Sequence, residues 1–596
     1  MIFKSNVIYN FFRIKNEHSI YLASIITGLL TGAVVLFFAA MLSFAEHRLE
    51  RWFPDYSNPE VFDKNGNFNF HFGYIAFIFL PALGGLLTGL ISEKFSTETS
   101  GSGMDSLISS FHQMEGKLRG RVALYKIFTT LFTISTGGSA GREGPIAQIG
   151  GSIGSKVNDL LGGGPKARRT LLLAGAAGGL GAIFHAPLGG AMTAVEMIYK
   201  EDIESDALLP GIISSMTAYL FYSFFAGFVP IYSPPGVVPV QPFQSYLFYL
   251  LLGFLSYWGG LIFIKLYNGT SQVFAKMNMP RIYKPALGGL MVGILGYFFP
   301  FILGSGEHFV QKIMEQNPVF HSMISFLKLS GIILLIVFLK ILASSLTIGS
   351  GGSGGMFGPS LYIGGLIGFF VGSLAKFAMP DINFSMSSFM LVGMGAFYSG
   401  IARAPIAGMV MICEMIGSYV LLPPLMIGSI LSLILSHNLA IYKSQLHNRF
   451  KSPAHSYDID IMRKIVISEF LSYIRNKAII QKSATIRKIK KMGSLIQASD
   501  FIVSNEKSEY VGMVSLRKQH KKFKTGKFVI EITEKNIPSV TTDNTLGDAL
   551  NIILEYELDK VAVTSEGKLI GYLRFLDILN LYYETVGKQN NAKKTN

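Results

Sequence analysis

A charged pair of residues, Arg142 and Glu143, lies in the glycine-rich stretch GGSAGREGP at residues 137–145. Apolar stretches flank it, from Tyr125 to Thr136 on one side and from Ile146 to Ile153 on the other. An ionised side chain at the centre of a bilayer costs roughly 2.5 kcal/mol or more, so a carboxylate at that depth indicates a functional site. Its chemistry would be that of an anion that protonation can neutralise. An ion pair between the two neighbours themselves is the structural alternative.

The composition is that of a membrane protein. Half of the 596 residues are hydrophobic, only 15% are charged, and the mean hydropathy is +0.41. Segments of about 20 apolar residues, the length that crosses a bilayer, recur along residues 20–442. We expect ten or more helices, several of them too short to cross. The clearest candidate spans are Tyr21–Leu42, Gly73–Ile91, Gly211–Val229, Ser245–Ile264 and Ile324–Leu342.

An internal repeat runs through this apolar region. GGSAGREGPIAQIGGSIG, from residue 137, aligns without gaps to GGSGGMFGPSLYIGGLIG, from residue 351, with 11 of 18 positions identical. HAPLGGAMTAVEM resembles RAPIAGMVMICEM further on, and the Gly-Ser-Gly triplet at 101–103 has a counterpart at 304–306. The sequence therefore predicts two related halves, about 20–232 and 243–442. Proteins built from two such halves, often inverted, place their sites between them near the bilayer midplane.

Both copies of the repeated block have the composition of a helix that begins inside the membrane. Their glycines permit sharp backbone turns, and a proline, Pro145 or Pro359, follows in the first helical turn, where its missing N–H costs nothing. The free N–H groups and the positive dipole ends of two such helices form an anion site without a full positive charge. We expect Glu143 to occupy this site when ionised and to leave it when protonated, as a gate and as a proton carrier.

The charge at the two ends of the chain predicts their side of the membrane. The first eighteen residues carry three basic residues and one acid, so the positive-inside rule keeps segment 1–19 in the cytoplasm. Residues 443–596 contain 26 Lys+Arg and 16 Asp+Glu, a net charge of +10. Proximity to anionic lipid explains such a basic tail, and we expect no nucleic-acid partner. The N-terminal charges are Lys4, Arg13, Lys15 and Glu17.

After Tyr442 the pattern changes to that of a small α+β region. Lys527–Val540 and Leu554–Leu581 predict the order strand, helix, strand, strand, helix, with VAVTS and KLIGYL as strands around a tight turn. FIVSNEKSEYVGMVSL is an earlier, weaker copy, and Lys518–Lys527 is a basic loop between the two. The sequence therefore predicts a C-terminal region, 451–596, of two copies that pair with each other, at about 465–525 and 528–585.

Three motifs in a fixed order carry a resemblance to a known family. Gly-Ser-Gly at 101–103, GREGP at 141–145 and GGMFGP at 354–359 are followed by Tyr442 near the end of the last apolar segment. Over most of residues 20–450 the chain resembles the CLC family of chloride channels and chloride/proton antiporters. The tail is similar to the paired CBS domains found on many relatives, which implies a regulatory role.

The resemblance implies a central chloride site. Ser102 and Tyr442 would donate hydroxyl groups to the ion, the backbone amides of Met356 and Phe357 would cap it, and Glu143 would be the outer gating glutamate. It also implies a homodimer with one pore in each subunit. Chloride would be the transported ligand, and no cofactor would be required.

Two positions depart from the family pattern. Asp105 stands where the first motif usually has proline, although Asp is itself a good helix N-cap. Met197 occupies the inner proton-transfer position, where many proton-coupled relatives have the second of two adjacent acids, and Met cannot titrate. Protons could instead use nearby acids as an inner path. These acids are Glu196, Glu201, Asp202 and Glu204.

The sequence therefore leaves open whether the transport of chloride is coupled to protons. The expected function is chloride transport through a pore gated by a protonatable glutamate, of the voltage-gated chloride channel type. A proton-coupled chloride antiporter of the same family is the alternative, with protons as a second partner.

The adenosine-binding pattern of CBS domains is eroded in the tail. The second copy keeps Asp577, which could hold ribose hydroxyls, but Arg574 stands where a hydroxyl residue is expected three positions earlier. The first copy has Ser515, and Lys518 takes the place of the acid. The sequence thus leaves open whether the CBS-like pair binds an adenine nucleotide, with Asp577 as the contact.

An intramembrane serine hydrolase is the remote alternative. GGSGG fits the nucleophile pattern G-x-S-x-G around Ser353, and its general base would have to be His185 or a lysine such as Lys126. The repeat argues against it, because Ser139 would be an equally good nucleophile in the first half. GSGGSG fits a dinucleotide pattern but follows a membrane span rather than a βα unit. We therefore expect no enzyme.

Together these observations predict an all-α polytopic membrane protein with an internal, inverted repeat and many tilted and broken helices, followed by a cytoplasmic α+β CBS-like pair. We expect a multi-pass protein of the bacterial inner membrane with both termini in the cytoplasm. A silent membrane part with a sensory tail is disfavoured, because a silent domain has no reason to keep Glu143 at depth.

Overall fold

The chain forms two compact units, Met1–Ala454 and His455–Asn596, in a computed structural model. Most of the predicted N-terminal segment, with Lys4, Arg13 and Lys15, lies outside the described residues, as does the basic loop Lys518–Lys527. The structure describes residues 17–53, 72–235, 242–315, 323–382, 384–437, 439–455, 462, 465–496, 499–516 and 528–582.

The first unit has sixteen α-helices in its described residues, eight in each half. The first half contains α1 (Glu17–Trp52), α2 (Ala76–Phe95), α3 (Met104–Gln113), α4 (Arg121–Ser135), α5 (Glu143–Leu160), α6 (Pro165–Ile183), α7 (Pro187–Glu196) and α8 (Leu208–Ala226). The second half contains α9 (Ser245–Lys276), α10 (Tyr283–Phe298), α11 (Glu307–Glu315), α12 (Met323–Gly349), α13 (Phe357–Ala378), α14 (Met386–Ala402), α15 (Pro405–Met415) and α16 (Leu422–Ser436).

The lengths of these helices fit a membrane protein with broken spans. Among the described residues, six helices are long and apolar enough to cross a bilayer, and they include α1, α2, α9, α12 and α13. By contrast, α3 and α7 have 10 residues each and α15 has 11. At 1.5 Å per residue such helices reach only about half-way through the hydrocarbon core. The prediction of a polytopic helical fold with several short helices is confirmed.

Reciprocal contacts relate the two halves by a two-fold axis. Where α2 packs on α10, a Cβ on Gly85 would overlap the Pro285 carbonyl, and a Cβ on Gly289 would overlap the Pro81 carbonyl. Such an exchange of equivalent contacts is what a two-fold axis requires. Small residues also let the helix backbones approach closely, as is common inside membranes. The predicted internal repeat therefore exists as a symmetric packing of its halves.

In the second unit, each predicted copy contributes one three-stranded sheet. The first two strands of each sheet are parallel, and the second and third are antiparallel. A helix joins the first two strands in both copies, so the same α+β topology occurs twice. The first copy contains β1 (Ile479–Gln481), α17 (Ile486–Ile496), β2 (Asp500–Ser504) and β3 (Tyr510–Ser515). The second contains β4 (Val540–Thr541), α18 (Leu546–Glu555), β5 (Lys560–Ser565) and β6 (Lys568–Arg574).

The second copy follows the predicted order of elements with one difference. Within the stretch that ends at Val540, residues Val529–Ile532 form a single 3-10 turn, and only Val540–Thr541 pair as a strand. The hairpin turn is as predicted, because Glu566 and Gly567 have positive φ angles of 49° and 80°. Tight two-residue hairpin turns need such angles.

Two carboxyl groups meet where the two copies of the second unit touch. The N–H of Asp559 donates to the Asp500 carboxylate at 2.9 Å, and the ammonium group of Lys560 donates to the Asp500 carbonyl at 2.9 Å. Burial, and then a hydrogen bond with Asp500 and the charge of Asp500, raise the pKa of Asp559 to about 6. Asp500 and Asp559 therefore share one proton below about pH 6, and their two carboxylates repel each other once that proton is lost.

Replacement of Asp559 by Asn should flatten the pH dependence of the stability of the second unit. A carboxyl group whose pKa is raised on folding stabilises the fold while it is protonated, and this contribution is lost as the pH rises through about 6. In the full chain, amide protection of β5, measured by hydrogen exchange and corrected for intrinsic rates, should fall severalfold from about pH 5 to about pH 7.5. The same protection should stay nearly constant in Asp559→Asn.

The exposed carboxylate of Asp543 provides the control for this measurement. Asp543→Asn should leave the slope of protection against pH unchanged. Equal slopes in the unmodified chain and in Asp559→Asn would contradict the shared proton.

Candidate functional site

Loops from distant parts of the sequence meet in the buried interior of the first unit. Gly141 and Gly355 exchange two backbone hydrogen bonds, of 2.9 and 2.6 Å. A Cβ on Gly144 would overlap the Ser102 carbonyl, so only glycine permits this approach. The structure thus brings together the three motifs that the sequence analysis singled out.

Two helices begin at this junction. The first residue of α5 is Glu143 and that of α13 is Phe357, and a proline lies in the first turn of each helix. Neither N-cap residue, Arg142 or Met356, caps its helix with its side chain. The first N–H groups of both helices are therefore left for another partner, as predicted.

The carboxylate of Glu143 occupies the junction. It is buried, and its Oε1 accepts a hydrogen bond from the N–H of Phe357. A Cβ on Gly141 or on Gly355 would overlap its oxygen atoms, so both glycines make room for it. A carboxylate from the first half of the repeat thus binds the helix start of the second half, in the position expected of an anion.

Arg142 does not pair with its neighbour Glu143. Its guanidinium group donates to Oε2 of Glu307 at 2.8 Å, and both side chains are partly buried. Glu307 is the first residue of α11, so this ion pair joins the two halves. The alternative of a local ion pair at Glu143 is therefore wrong.

The other residues predicted to bind the ion are also buried. Ser102 precedes α3, and Met356 and Phe357 form the start of α13. Tyr442 follows α16 and lies within electrostatic range of Glu143. The structure therefore brings the predicted ligand groups to the same region of the interior.

Asp105 is not the helix N-cap that the sequence suggests. The helix α3 already begins at Met104, so Asp105 lies inside its first turn, where the helix dipole still favours a carboxylate. Its Oδ1 accepts a hydrogen bond from the N–H of Ser444 at 3.0 Å. Asp105 therefore ties the segment that carries Tyr442 to the helix that follows Ser102, a role that sequence reasoning missed.

Two buried lysines support the motif loops, and sequence reasoning noticed only one of them. Lys126 donates to two backbone carbonyls, including that of Gly101, at 2.9 and 2.8 Å. Lys340 donates to two carbonyls, including that of Gly304, both at 2.9 Å. The lysines lie 214 residues apart, which is also the spacing of the repeated blocks, and that spacing could have revealed Lys340. Each lysine thus fixes the backbone of one Gly-Ser-Gly loop by hydrogen bonds from its ammonium group.

Comparison with known proteins decides the family. A family model described as voltage gated chloride channel matches residues 84–437, which is more than half of the chain. The chain belongs to this family, the CLC family. A second family model, the CBS domain, matches residues 529–584 in the second copy of the tail.

Two relatives carry the name H(+)/Cl(-) exchange transporter ClcA. The protein of Vibrio cholerae serotype O1 (strain M66-2) is 29% identical over 451 residues, which cover 74% of this chain and 91% of the relative. The protein of Citrobacter koseri is 32% identical over 363 residues, which cover 59% of this chain and 73% of the relative. This CLC chain is thus similar to proteins named as exchangers over most of their length.

Two solved structures share the fold. A slow cyanobacterial Cl-/H+ antiporter matches with a TM-score of 0.61 at 22% identity, over 71% of this chain and 96% of that one. A eukaryotic CLC transporter matches with a TM-score of 0.55 at 20% identity, over 93% of this chain and 98% of that one. At these identities the comparison concerns the fold alone.

The position at which the resemblance implies an inner proton-transfer acid is apolar in this CLC protein. Met197 is buried, and the preceding Glu196 accepts hydrogen bonds from the N–H groups of Ile406 and Ala407 at the start of α15, at 3.2 and 2.7 Å. Its counterpart Glu414 binds the start of α7 in the same way, at 3.2 and 2.7 Å. Glu196 therefore has a structural role that its repeat partner shares.

The three acids that follow Met197 are held by basic residues. Glu201 pairs with Arg403 at 3.6 Å, and Glu204 pairs with Arg449 at 3.6 Å. Asp202 accepts a hydrogen bond from the backbone N–H of Arg449 at 3.1 Å. The predicted acid cluster thus lies beyond the end of α7, where Glu201 and Glu204 form ion pairs and Asp202 accepts backbone hydrogen bonds.

The geometry does not support a hydrolase. Ser353 is buried, and its hydroxyl group bonds to the hydroxyl groups of Thr129 and Thr130 at 3.1 and 2.9 Å. A ring nitrogen of His185 is hydrogen-bonded to a backbone carbonyl at 2.7 Å. The ammonium group of Lys126 donates to two other backbone carbonyls. Within the described residues, neither candidate base is bonded to Ser353.

In the second CBS copy, Asp577 is bound by two arginines. Arg574 and Arg475 each donate two hydrogen bonds to its carboxylate, at 2.8 to 3.1 Å. Burial raises the pKa of Asp577, but the hydrogen bonds and charges of Arg574 and Arg475 outweigh it, so the pKa lies below its ordinary value. The carboxylate is therefore ionised at neutral pH, and both of its oxygen atoms already accept hydrogen bonds from the two arginines.

Gly355→Ala should destabilise the first unit through its contact with Glu143. The new Cβ would overlap the carboxylate, so the melting temperature in detergent should fall. In a Glu143→Ala background the same substitution should cost less, with a coupling free energy of about 1 kcal/mol or more. Gly269→Ala is the matched control, because its Cβ would meet no atom within 4 Å. Equal losses in both backgrounds would mean that Glu143 does not lie against this glycine.

Proposed function

We propose that this CLC protein exchanges chloride for protons across the membrane, with Glu143 as the gate that both ions share. The hydrogen bond from the N–H of Phe357 to the Glu143 carboxylate supports this proposal, because a carboxylate holds the place in which helix-start amides would bind chloride. While ionised, the carboxylate excludes chloride. Once protonated, it loses its charge, and chloride takes its place. Each proton that enters or leaves Glu143 is thereby linked to the movement of an anion.

We further propose that the hydroxyl groups of Ser102 and Tyr442 and the N–H groups of Met356 and Phe357 bind the chloride. Such donors replace part of the ion's water shell without a full positive charge, so that the ion can leave again. The burial of all four residues supports this assignment. Lys126, bonded to the Gly101 carbonyl, keeps the Ser102 loop in place.

Uncoupled chloride conduction is the second candidate, and the buried Met197 favours it. A thioether cannot carry a proton to Glu143. The relatives that are named as exchangers favour coupling instead. In either case Glu143 would open and close the chloride path.

Glu143→Gln should abolish the response of chloride flux to pH and leave an open chloride path. The amide keeps the shape of the side chain but has no charge to gain or lose. In planar bilayers with opposed chloride and pH gradients, the reversal potential of the unmodified protein should shift with pH. That of Glu143→Gln should equal the chloride equilibrium potential.

The exposed Glu93 near the end of α2 provides the matched control, and Glu93→Gln should behave as the unmodified protein. A normal pH response in Glu143→Gln would refute the gate. If the reversal potential of the unmodified protein does not change with pH, exchange of chloride for protons is refuted and a chloride channel is favoured.

Ser102→Ala should weaken chloride binding about tenfold or more, because a hydrogen bond to a charged group contributes about 1.5–3 kcal/mol. Calorimetric titration of the purified protein with chloride measures this affinity. Ser305→Ala changes the equivalent serine of the second half and should have no effect. Unchanged affinity in Ser102→Ala would remove this residue from the site.

We propose a homodimer in the bacterial inner membrane, with one pathway in each subunit and both termini in the cytoplasm. The family and the basic tail support this arrangement. For the regulatory tail we propose an adenine nucleotide as ligand, for which Asp577 would have to exchange the half-exposed Arg475 for ribose hydroxyls. Native mass spectrometry tests the dimer, and calorimetry with ATP tests the nucleotide.

A further inference from the structure

The route by which protons would reach Glu143 has an apolar gap. Met197 is buried where an acid would otherwise lie, and the rings of Phe184 and Phe357 pack beside the junction with their centroids 4.9 Å apart. The acid nearest to Met197 in the sequence is its neighbour Glu196. A proton that travels between Glu196 and Glu143 therefore needs another polar group on its way.

Tyr398 of α14 fills this gap. Its ring is buried and lies edge-on against the ring of Phe357, with the centroids 4.6 Å apart, and the N–H of Phe357 is the donor to Glu143. At the other end, its hydroxyl group donates to Sδ of Met197 at 3.1 Å. Met197 directly follows Glu196, and Tyr398 lies within electrostatic range of both Glu143 and Glu196. The ring of Tyr398 thus lies against the residue whose N–H binds the gate, and its hydroxyl group lies against the residue that follows the last acid of α7.

The hydroxyl group of Tyr398 donates its hydrogen bond to a weak acceptor, the thioether of Met197. A thioether accepts hydrogen bonds poorly. Its other partner is the hydroxyl group of Thr193, which uses its own proton on the Gly189 carbonyl at 2.7 Å. By contrast, the buried Tyr362 donates to the carbonyl of Phe301 at 3.1 Å. A carboxylate or a water molecule would therefore compete well for the Tyr398 proton.

We propose that Tyr398 relays protons between Glu196 and Glu143, in place of a carboxyl group at position 197. The proposal rests on the exchange function proposed above. As the Tyr398 O–H bond breaks, its proton passes through one water molecule to the Glu143 carboxylate. At the same time a new O–H bond forms with the proton of a protonated Glu196, which becomes a carboxylate.

The phenol is neutral before and after this transfer, so no phenolate forms between two carboxylates in an apolar interior, which would be costly. Three groups from other elements face it. Glu143 of α5 receives the proton, Glu196 of α7 supplies it, and the hydroxyl group of Tyr442 is within electrostatic range. The acid cluster after α7 then returns a proton to Glu196.

Tyr398→Phe tests this relay, because it keeps the ring and removes the hydroxyl group. In vesicles with opposed chloride and proton gradients, the number of protons moved per chloride should fall about tenfold or more, which is the scale of a lost proton-transfer group. Chloride should still cross, and its flux reports that the variant is folded. Tyr362→Phe removes an equally buried hydroxyl group from α13 and should leave the coupling ratio unchanged.

A rescue experiment separates a lost relay from a general disturbance. Met197→Glu in the Tyr398→Phe background provides a titratable group in the gap and should restore proton movement. If Tyr398→Phe carries neither ion, Glu196→Gln removes the proposed donor instead, and it should lower the protons moved per chloride by a similar factor.

The outcomes distinguish the relay from the exchange function. If the unmodified protein moves protons and Tyr398→Phe keeps the normal number of protons per chloride, the relay is refuted and exchange stands. Normal coupling in Glu196→Gln would refute it as well. If the unmodified protein moves chloride without protons, exchange and relay are both refuted.

Discussion

A backbone N–H that begins a helix inside a bilayer has no water to bind, and this constraint governs the first unit. At the start of α13 the N–H of Phe357 finds its partner in the carboxylate of Glu143. The group that satisfies the amide can itself be protonated. The availability of the amide to an anion is therefore linked to the charge of one side chain, and the surrounding loops serve to hold these two groups together.

The symmetric packing of the halves supplies the two groups from different places. Glu143 and Phe357 are equivalent positions in the repeat, but one carries a carboxylate and the other offers its amide. The scaffold around them remains symmetric, because Lys126 and Lys340 hold equivalent loops. A symmetric scaffold thus carries asymmetric chemistry at its centre, which allows a carboxylate from one helix start to bind the other.

Several features of the site were predictable because they follow from local rules. Glycine and proline mark the helix starts, apolar length marks the spans, and the repeated block marks the two halves. The partners of individual side chains were not predictable in this way. Arg142 binds Glu307, 165 residues away, and Asp105 binds a backbone N–H 339 residues away. Such contacts depend on how distant helices pack, and neither spacing nor composition encodes them.

The sequence by itself determined the family, the two halves, the α+β tail and the presence of a carboxylate at membrane depth. Each of these depends on residue type or on spacing along the chain. Only the tertiary structure decided what Glu143 binds, that Asp105 holds the segment of Tyr442, and that Tyr398 lies between the gate and Met197. The physical reason is that the packing of remote helices sets the partner of a backbone amide or of a buried side chain, and residue type and spacing do not encode that partner.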